Sequence, residues 1–459
     1  MAGETSSQFI NSDIHLTNRT SMNNSIKSRQ QILDKLGIVS LNDMQLQAHD
    51  AITNHRDTVI ISPTGTGKTL AFLLPVIELL NPELTEIQAL ILVPSRELAI
   101  QIEQVIREMG TGYKANAIYG GRAGAKDKED LQHTPAILIG TPGRIADHLR
   151  RESFDPSFIK TLILDEFDKS LETGFEKEMR EIVGALPHIG RNILTSATFK
   201  AQVPQFVGLQ TPQVLKFEKE TDSLLQIKTM ASDSKNRFIN LEQIIARTDK
   251  GNGIIFCNFK DSIEEVSAFL KSRNIAHSVF YGGLEQRDRE RALIKFRNGT
   301  HQLLLATDLA ARGIDVPELD FIIHYELPFH KEEFTHRNGR TARMHANGTA
   351  YILHNKKHKL PDYLGESTPL EYTERLKVTH HQKWETLFIS GGRKDKISKG
   401  DIAGLFFKQG NLSKEELGEI ELKQDCAFVA VPFEKAYDLT QQLNNSKIKK
   451  RKVRIYRLE

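Results

Sequence analysis

Apolar runs of four or five residues recur along the chain, separated by stretches whose apolar positions fall at helical spacing. TVII (58–61), ALILV (89–93), AILIG (136–140), LILDE (162–166) and NILTS (192–196) are apolar almost throughout, as strands covered on both faces of a parallel sheet must be. Between them lie segments such as ELAIQIEQVIREMG (97–110), with apolar residues on one helical stripe. A second series begins at GIIFC (253–257) and continues through SVFYG (278–282), QLLLATD (302–308), FIIHYE (321–326) and TAYILH (349–354). Strand–helix alternation run through twice predicts two doubly wound α/β domains with parallel sheets.

The pattern breaks around residues 210–235, where TPQVLKFEKETDSLLQIK leaves the first series. We therefore expect a flexible arm over 1–25, rich in Ser, Asn and Thr, a first domain over 26–215 and a linker over 216–235. A second domain over 236–375 and a small α+β domain over 390–459 complete the chain. In the last, the expected order is a strand near IAGLFF, a helix at SKEELGEI, a strand at CAFVAVP, a helix at EKAYDLTQQLN and a basic strand.

Composition narrows the class. The 459 residues contain two cysteines, Cys257 and Cys426, too few for a disulfide framework, and no Cys/His set has zinc-ligand spacing. No run approaches the roughly 20 apolar residues of a membrane span, and MAGETSSQFI lacks the basic start and apolar core of a secretory signal. A cytoplasmic protein is expected. Charge is nearly balanced overall, at 62 Lys/Arg against 59 Asp/Glu, but from Gly391 onward 15 basic residues face 10 acidic ones. The basic excess sits in the tail, where a polyanion can be gripped.

Chemistry enters at SPTGTGKT (62–69), between a predicted strand and a predicted helix. That context suits a phosphate-binding loop. Gly65 and Gly67 let backbone amides face phosphates, Lys68 neutralises the outer phosphates, and Thr69 is placed to ligate Mg²⁺. LILDEFD ends a strand in two carboxylates: Asp165 would hold Mg²⁺, partly through water, and Glu166 would orient or deprotonate a water attacking the γ-phosphate.

With these residues in hand, the chain resembles a DEAD-box RNA helicase of superfamily 2 over roughly residues 30–360. After the phosphate loop come PSREL (94–98), Gly120-Gly121, TPGR (141–144), DEFD (165–168) and SAT (196–198). IIFCNF (254–259), YGGLEQRDR (281–289), ATDLAARGID (306–315) and HRNGRTAR (336–343) follow in the family's order. The resemblance implies two tandem RecA-like domains that close on ATP and RNA, with RNA-dependent ATPase activity. ATP would be held by Gln45 and the loop Thr64, Gly65, Thr66, Gly67, Lys68 and Thr69, with Asp315 at the ribose. Catalysis would rest on Lys68, Glu166 and the arginine fingers Arg340 and Arg343, which we expect three residues apart on one face of a helix that also carries Arg337. Arg337 would orient its neighbours or the metal-site carboxylates. Asp168, Ser196, Thr198 and His336 resemble the group that couples nucleotide state to closure. The RNA path would run over Arg96, Gly121, Thr141 and Arg144, then Gln286, Arg289 and Thr307, reading the sugar-phosphate backbone.

Several positions depart from the family pattern: Ser62 for Gly, Ser95 for Thr, Phe167 for Ala and Ala342 for Gly. Asn42 stands near the family's Thr, and Ser28 near its upstream aromatic. Gln45 is open to two readings, an adenine-reading amide or a residue of a helix-capping loop.

Residues 391–459 resemble the RNA-binding domain of the DbpA family of bacterial DEAD-box proteins, an RNA-recognition-motif fold. GGRK, KGDIAGLF, GEI and KIKKRKVRI are the matching stretches. CAFVAVP offers Phe428 alone among stacking aromatics, so we expect Lys447, Lys449, Lys450, Arg451, Lys452 and Arg454 to grip phosphates along one edge; a solvated charge run is the alternative. The resemblance implies structured RNA, a hairpin of large-subunit ribosomal RNA, as the partner of a monomer acting in ribosome biogenesis. The competing functions are an RNA-binding clamp or annealing chaperone, and a DNA translocase on the same scaffold.

Overall fold

The computed structural model describes residues 26–458 apart from 64, 122–123, 198–202, 218–224, 249–250, 309–315, 317–318, 342–347, 372–375, 377 and 379–381. The expected N-terminal arm therefore lies outside the described residues, as do Thr64, Thr198, Asp315 and Arg343. The chain divides into two compact units, with the boundary between residues 221 and 222.

The first unit is built on seven parallel strands: β1 (Asp57–Ile61), β2 (Ala89–Leu92), β3 (Ala115–Ile118), β4 (Ile137–Gly140), β5 (Thr161–Leu164), β6 (Arg191–Ser196) and β7 (Gln213–Lys216), in the order β3-β4-β2-β5-β6-β1-β7. Both faces carry helices, so alternate residues of one strand enter different cores. Ile60, Ile91, Ile139 and Ile193 join the helices Asp43–Asn54 and Lys68–Glu78 on one side, and Val59, Leu90, Leu138 and Leu194 pack on the other. This two-sided burial is why the strands read as unbroken apolar runs.

The second unit opens with another seven-stranded parallel sheet: β8 (Leu225–Ser232), β9 (Gly253–Phe256), β10 (Ser278–Phe280), β11 (Leu303–Ala306), β12 (Phe321–His324), β13 (Gly348–Asn355) and β14 (Thr368–Pro369). Its order is β10-β11-β9-β12-β13-β8-β14. Strand β8 corrects the expected 216–235 linker. It pairs with β13 over eight residues, Leu225 to Ser232, and belongs to the second sheet. Its residues alternate polar and apolar because this position is near the sheet edge, and that masked it.

The tail domain also begins earlier than expected. β15 (Trp384–Ile389) is its central strand, followed by β16 (Ile420–Leu422), β17 (Ala427–Pro432), β18 (Lys447–Ile448), β19 (Arg451–Lys452) and β20 (Ile455–Arg457), with the antiparallel order β16-β17-β15-β20. The segment around IAGLFF is not a strand but the helix Lys399–Lys408, capped by Ser398, whose Oγ accepts from the Asp401 amide. Ile402, Leu405 and Phe406 face the core at helical spacing. SKEELGEI is a single 3-10 turn at Lys414–Glu416 running into β16, because too few residues separate the turn from the strand for a helix.

The tail domain packs against the helix Gln286–Arg297 of the same unit. Ile294 meets Phe428 and Leu458 in one apolar cluster. Around it Arg297 pairs with Glu421 (2.6 Å), Lys423 with Glu290 (2.8 Å), and Asn298 Nδ2 donates to Thr386 Oγ1 (2.8 Å). Trp384, the only tryptophan, lies over Gly299, where a Cβ would stand 3.3 Å from its Cδ1. Ile294→Asp, which puts an unpaired charge into this seam, should free the tail domain and red-shift Trp384 emission while far-ultraviolet circular dichroism is retained; unchanged emission would show that the seam does not hold the domain.

Candidate active site and RNA surface

The phosphate loop starts where β1 ends. The Ser62 amide donates to Ser196 O (3.1 Å), fixing the loop's root against the end of β6. Gly65 and Gly67 take φ of +83° and +86°, which side-chain-bearing residues rarely adopt. The largely buried Lys68 then turns back, its Nζ donating to Ser62 O and Pro63 O, both at 2.6 Å. Ser62 contributes its own side chain: Oγ shares a hydrogen bond with Thr66 Oγ1 (2.8 Å). The ammonium is held at the mouth of the helix Lys68–Glu78 by carbonyls that phosphate oxygens can replace.

Asp165 and Glu166 follow β5. Register pairs Leu164 with Leu194, so the next residue of each strand, Asp165 and Thr195, are neighbours. Thr195 Oγ1 donates to Asp165 Oδ1 and accepts from the Glu166 amide (3.2 Å). Glu166 sits at φ +50°, left-handed backbone that costs a non-glycine residue about 1–2 kcal/mol. Burial pushes the Asp165 carboxyl above the usual carboxylate range, and the Thr195 hydrogen bond and the Lys68 charge pull it back. Asp168 is also buried, in the first turn of the helix Phe167–Glu172. Among the described residues no three His, Cys, Asp or Glu side chains converge as a metal cluster. A divalent cation here would take one carboxylate, a hydroxyl and phosphate oxygens, the set Mg²⁺ accepts.

Gln45 is buried, not exposed, and the capping reading holds for its contacts. It forms a capping box with Asn42, its Oε1 accepting from the Asn42 amide (3.0 Å) while Asn42 Oδ1 accepts from the Gln45 amide (2.9 Å). Both side chains also reach the phosphate loop: Asn42 Nδ2 donates to Thr66 O (3.1 Å) and Gln45 Nε2 to Gly67 O (3.4 Å). Asn42, at the position departing from the family, supplies the cap.

In the second unit the helix Lys331–Asn338 ends before Arg340, with Gly339 at its C-cap. The expectation of one shared helix fails for Arg337 and Arg340: the Gly339 amide closes the last turn onto Thr335 O (2.9 Å), and the Arg340 amide reaches back only to Arg337 O (3.1 Å); Arg343 lies outside the described residues. Arg340 is a mostly buried residue beyond the helix end, and His336 lies in the last turn. Arg337 is 1% exposed and makes four hydrogen bonds. It grips Asp308 through Nε (2.6 Å) and Nη2 (2.5 Å), and donates to Glu326 O (2.6 Å) and Asn258 Oδ1 (2.7 Å). It therefore ties together the ends of β9, β11 and β12. Beside it His324 is fully buried, and burial with the Arg337 charge pushes its pKa down to about 3, so it stays neutral.

The RNA residues expected in the first unit converge on one loop. Gly121 (φ +82°) makes room for the Arg96 guanidinium, since a Cβ there would stand 2.5 Å from Nη1. A Cβ at Gly124 would stand 3.5 Å from Arg144 Nη2, and Thr141 is the N-cap of the helix Pro142–Arg150 that carries Arg144. In the second unit Gln286 and Arg289 share the helix Gln286–Arg297, with Arg289 over the Phe280 ring at 5.1 Å. Thr307 follows β11, whose Ala306 is Phe280's partner in register.

In the tail, the sheet face is richer in aromatics than the sequence reading allowed. Phe388 on β15 pairs in register with Phe428 on β17 and Tyr456 on β20, with ring centroids 5.6 Å and 4.8 Å apart. Phe428 is buried against Ile294 and Leu458, whereas Tyr456 is exposed. The basic residues do not line a sheet edge. Lys447, Lys449, Lys450 and Arg451 form a separate hairpin of β18 and β19, turned by Lys449 at φ +52°. Lys449 pairs with Asp401 (2.8 Å), pulling that carboxyl down to about 2, and Arg451 with Asp395 (3.6 Å). Lys447, Lys450, Lys452 and Arg454 are exposed.

Three family models match in succession: DEAD/DEAH box helicase over residues 42–206, helicase conserved C-terminal domain over 236–345, and DbpA RNA binding domain over 386–457. The ATP-dependent RNA helicase DbpA of Escherichia coli is 30% identical over 441 residues, spanning 92% of this chain and 95% of its own length. The chain is a DEAD-box RNA helicase of the DbpA kind. The Bacillus subtilis DbpA is 28% identical, with 92% and 96% covered. Among solved structures, Saccharomyces cerevisiae Dbp5 bound to RNA and ADP BeF3 superposes with a TM-score of 0.66 at 27% identity, over 74% of this chain and 93% of that one. ATP-dependent RNA unwinding is the activity of this DbpA-like helicase, which is an RNA-dependent ATPase with RNA as its partner; the readings as a DNA translocase or a clamp without turnover fall away. No helix among the described residues is long and apolar enough to cross a membrane.

Thr195 is the residue of this DEAD-box site that sequence reasoning passed over. Strand alternation carries the missing signal, because a hydroxyl at the end of an apolar strand beside Asp165 needs a polar reason to be buried. Thr195→Val leaves Asp165 without its hydroxyl donor, so its carboxyl should titrate higher. The acid limb of the ATPase pH profile should then move to higher pH, with kcat reduced about tenfold, as a lost buried hydrogen bond of about 1–3 kcal/mol implies. A profile that overlays the parent's would refute the bridging role.

Proposed function

We propose that the chain unwinds short RNA duplexes, or remodels ribonucleoproteins, by ATP-driven closure of its two RecA-like domains. Lys68 and Thr69 hold the phosphates, Thr69 and Asp165 hold Mg²⁺ (the aspartate through water), and Glu166 orients the attacking water. Arg340 and Arg343 complete the site from the second domain, Asp315 takes the ribose, and Gln45 reads adenine by exchanging its contact with Gly67 O for the base edge. Asp168, Ser196, Thr198 and His336 couple nucleotide state to closure. The observation that carries this reading is the Lys68–Asp165–Thr195–Glu166 arrangement, which sets an ammonium, a buried carboxylate and a strained glutamate at the C-terminal edge of one parallel sheet. Closing the site would align the in-line attack and shield it from water.

The tail tethers the helicase to structured RNA. The exposed cations Lys447, Lys450, Lys452 and Arg454 supply the phosphate grip and the exposed edge of Tyr456 a stacking surface. Likeness to the DbpA RNA-binding domain favours a large-subunit ribosomal RNA hairpin as target, and hence a monomeric cytoplasmic factor in ribosome assembly. Lys68→Ala or Glu166→Gln should abolish RNA-stimulated ATP turnover; persistent turnover would move the site elsewhere. Deleting residues 382–459 should weaken binding to hairpin-containing ribosomal RNA at least tenfold in a filter-binding assay, and equal affinity would reject the tether.

A further inference from the structure

An ionic cluster in the first unit stands apart from the ATP site. Asp127, on the helix Gly124–Gln132, is fully buried. Its Oδ2 accepts from Arg144 Nε (2.9 Å) and Nη2 (2.7 Å), and lies 3.2 Å from Nε2 of His148, one turn beyond Arg144. Asp147 Oδ2 accepts from Arg144 Nη1 (2.8 Å), and its other oxygen pairs with Arg151 Nε (2.8 Å). A guanidinium has five N–H groups in a rigid plane. Three are taken by the two carboxylates, which leaves one on each terminal nitrogen, the fork that fits two oxygens of a phosphate. The Arg144 side chain is 17% exposed, so the residue is not sealed from solvent. Gly124, at the start of Asp127's own helix, borders the Arg144 guanidinium, and Gly121 borders that of Arg96, so both arginines face one loop.

We propose that Asp127 is a positioning residue for RNA: it clamps Arg144 so that the two remaining N–H groups of the guanidinium present a preformed fork to a backbone phosphate. This rests on reading Arg144 as a phosphate contact. An unclamped arginine has to lose rotamer freedom when it binds, whereas a clamped one has lost it already, so the gain appears as RNA affinity. The plainer role for the same cluster, a staple between two helices, would affect stability only.

RNA-stimulated ATPase of the full chain, titrated with single-stranded RNA, separates the two. Asp127→Asn should raise the RNA KM about tenfold with kcat at saturating RNA changed less than twofold, and Asp127→Glu should restore most of the loss. Arg144→Lys should resemble Asp127→Asn, and the double variant should be no worse than either alone. Both single variants keep a cation at residue 144, so the dependence of log KM on log salt should change by less than the roughly 0.7 that loss of one phosphate contact on a single strand would bring. If Asp127→Asn lowers the melting temperature and leaves KM unchanged while Arg144→Lys raises KM, the clamp is wrong and the phosphate contact stands. If Arg144→Lys also leaves KM unchanged, the contact itself is wrong. Should Asp127→Asn fail to fold, the Arg144 Nε–H nuclear magnetic resonance signal of the parent protein decides: a shift on adding RNA supports the proposal, and an unmoved signal overturns it.

Discussion

Charge buried at the C-terminal ends of parallel strands is the constraint on which both RecA-like domains depend. Burial raises the Asp165 carboxyl above its usual range, and the Thr195 hydrogen bond and the Lys68 charge supply the opposing pull. Arg337 faces the mirror problem: a guanidinium 1% exposed, made tolerable only by the Asp308 carboxylate, an amide oxygen and a backbone carbonyl together. Removing one partner of such a set costs about 3–5 kcal/mol, because it strands a buried charge. These groups therefore fix strand ends to one another, and the loops that carry the motifs inherit that fixed geometry. His324, kept neutral beside Arg337, avoids adding a second positive charge to the same pocket.

Motif residues divide by how they use their hydrogen-bonding groups. Lys68 and Gln45 rest on backbone carbonyls of the phosphate loop, contacts that a nucleotide can replace without stranding anything. Arg337 and Asp308 are spent on each other. Arg144 lies between these cases, with three N–H groups committed to two carboxylates and two remaining. A motif arginine is thus not by itself a ligand contact, since the count of donors left over decides what it can reach.

The helix Gln286–Arg297 bears Gln286 and Arg289 at its N-terminal end, and at its C-terminal end Ile294 and Arg297, which hold the tail domain. The sheet of the tail domain turns Phe428 toward that helix and leaves Tyr456 exposed, so docking buries one ring of the aromatic face and leaves another open.

The apolar runs placed ten of the fourteen strands of the two large sheets, because strands buried on both faces must be apolar throughout. β3, β7, β8 and β14 escaped, being at or next to sheet edges where one face needs no apolar partner. In the tail, IAGLFF was apolar enough for a strand, and only the Ser398 cap and the core position of Phe406 made it a helix. The motifs likewise named Lys68, Asp165, Glu166 and the glycines, since their chemistry is local to a loop and its flanking elements. Thr195, Phe388, Tyr456 and Asp127 lie far in sequence from the groups they serve: pairing of β5 with β6, of β15 with β17 and β20, and of two helices across a buried carboxylate brought them there. Local spacing thus set which groups are present and which loops carry them; strand register and burial decided which of those groups touch.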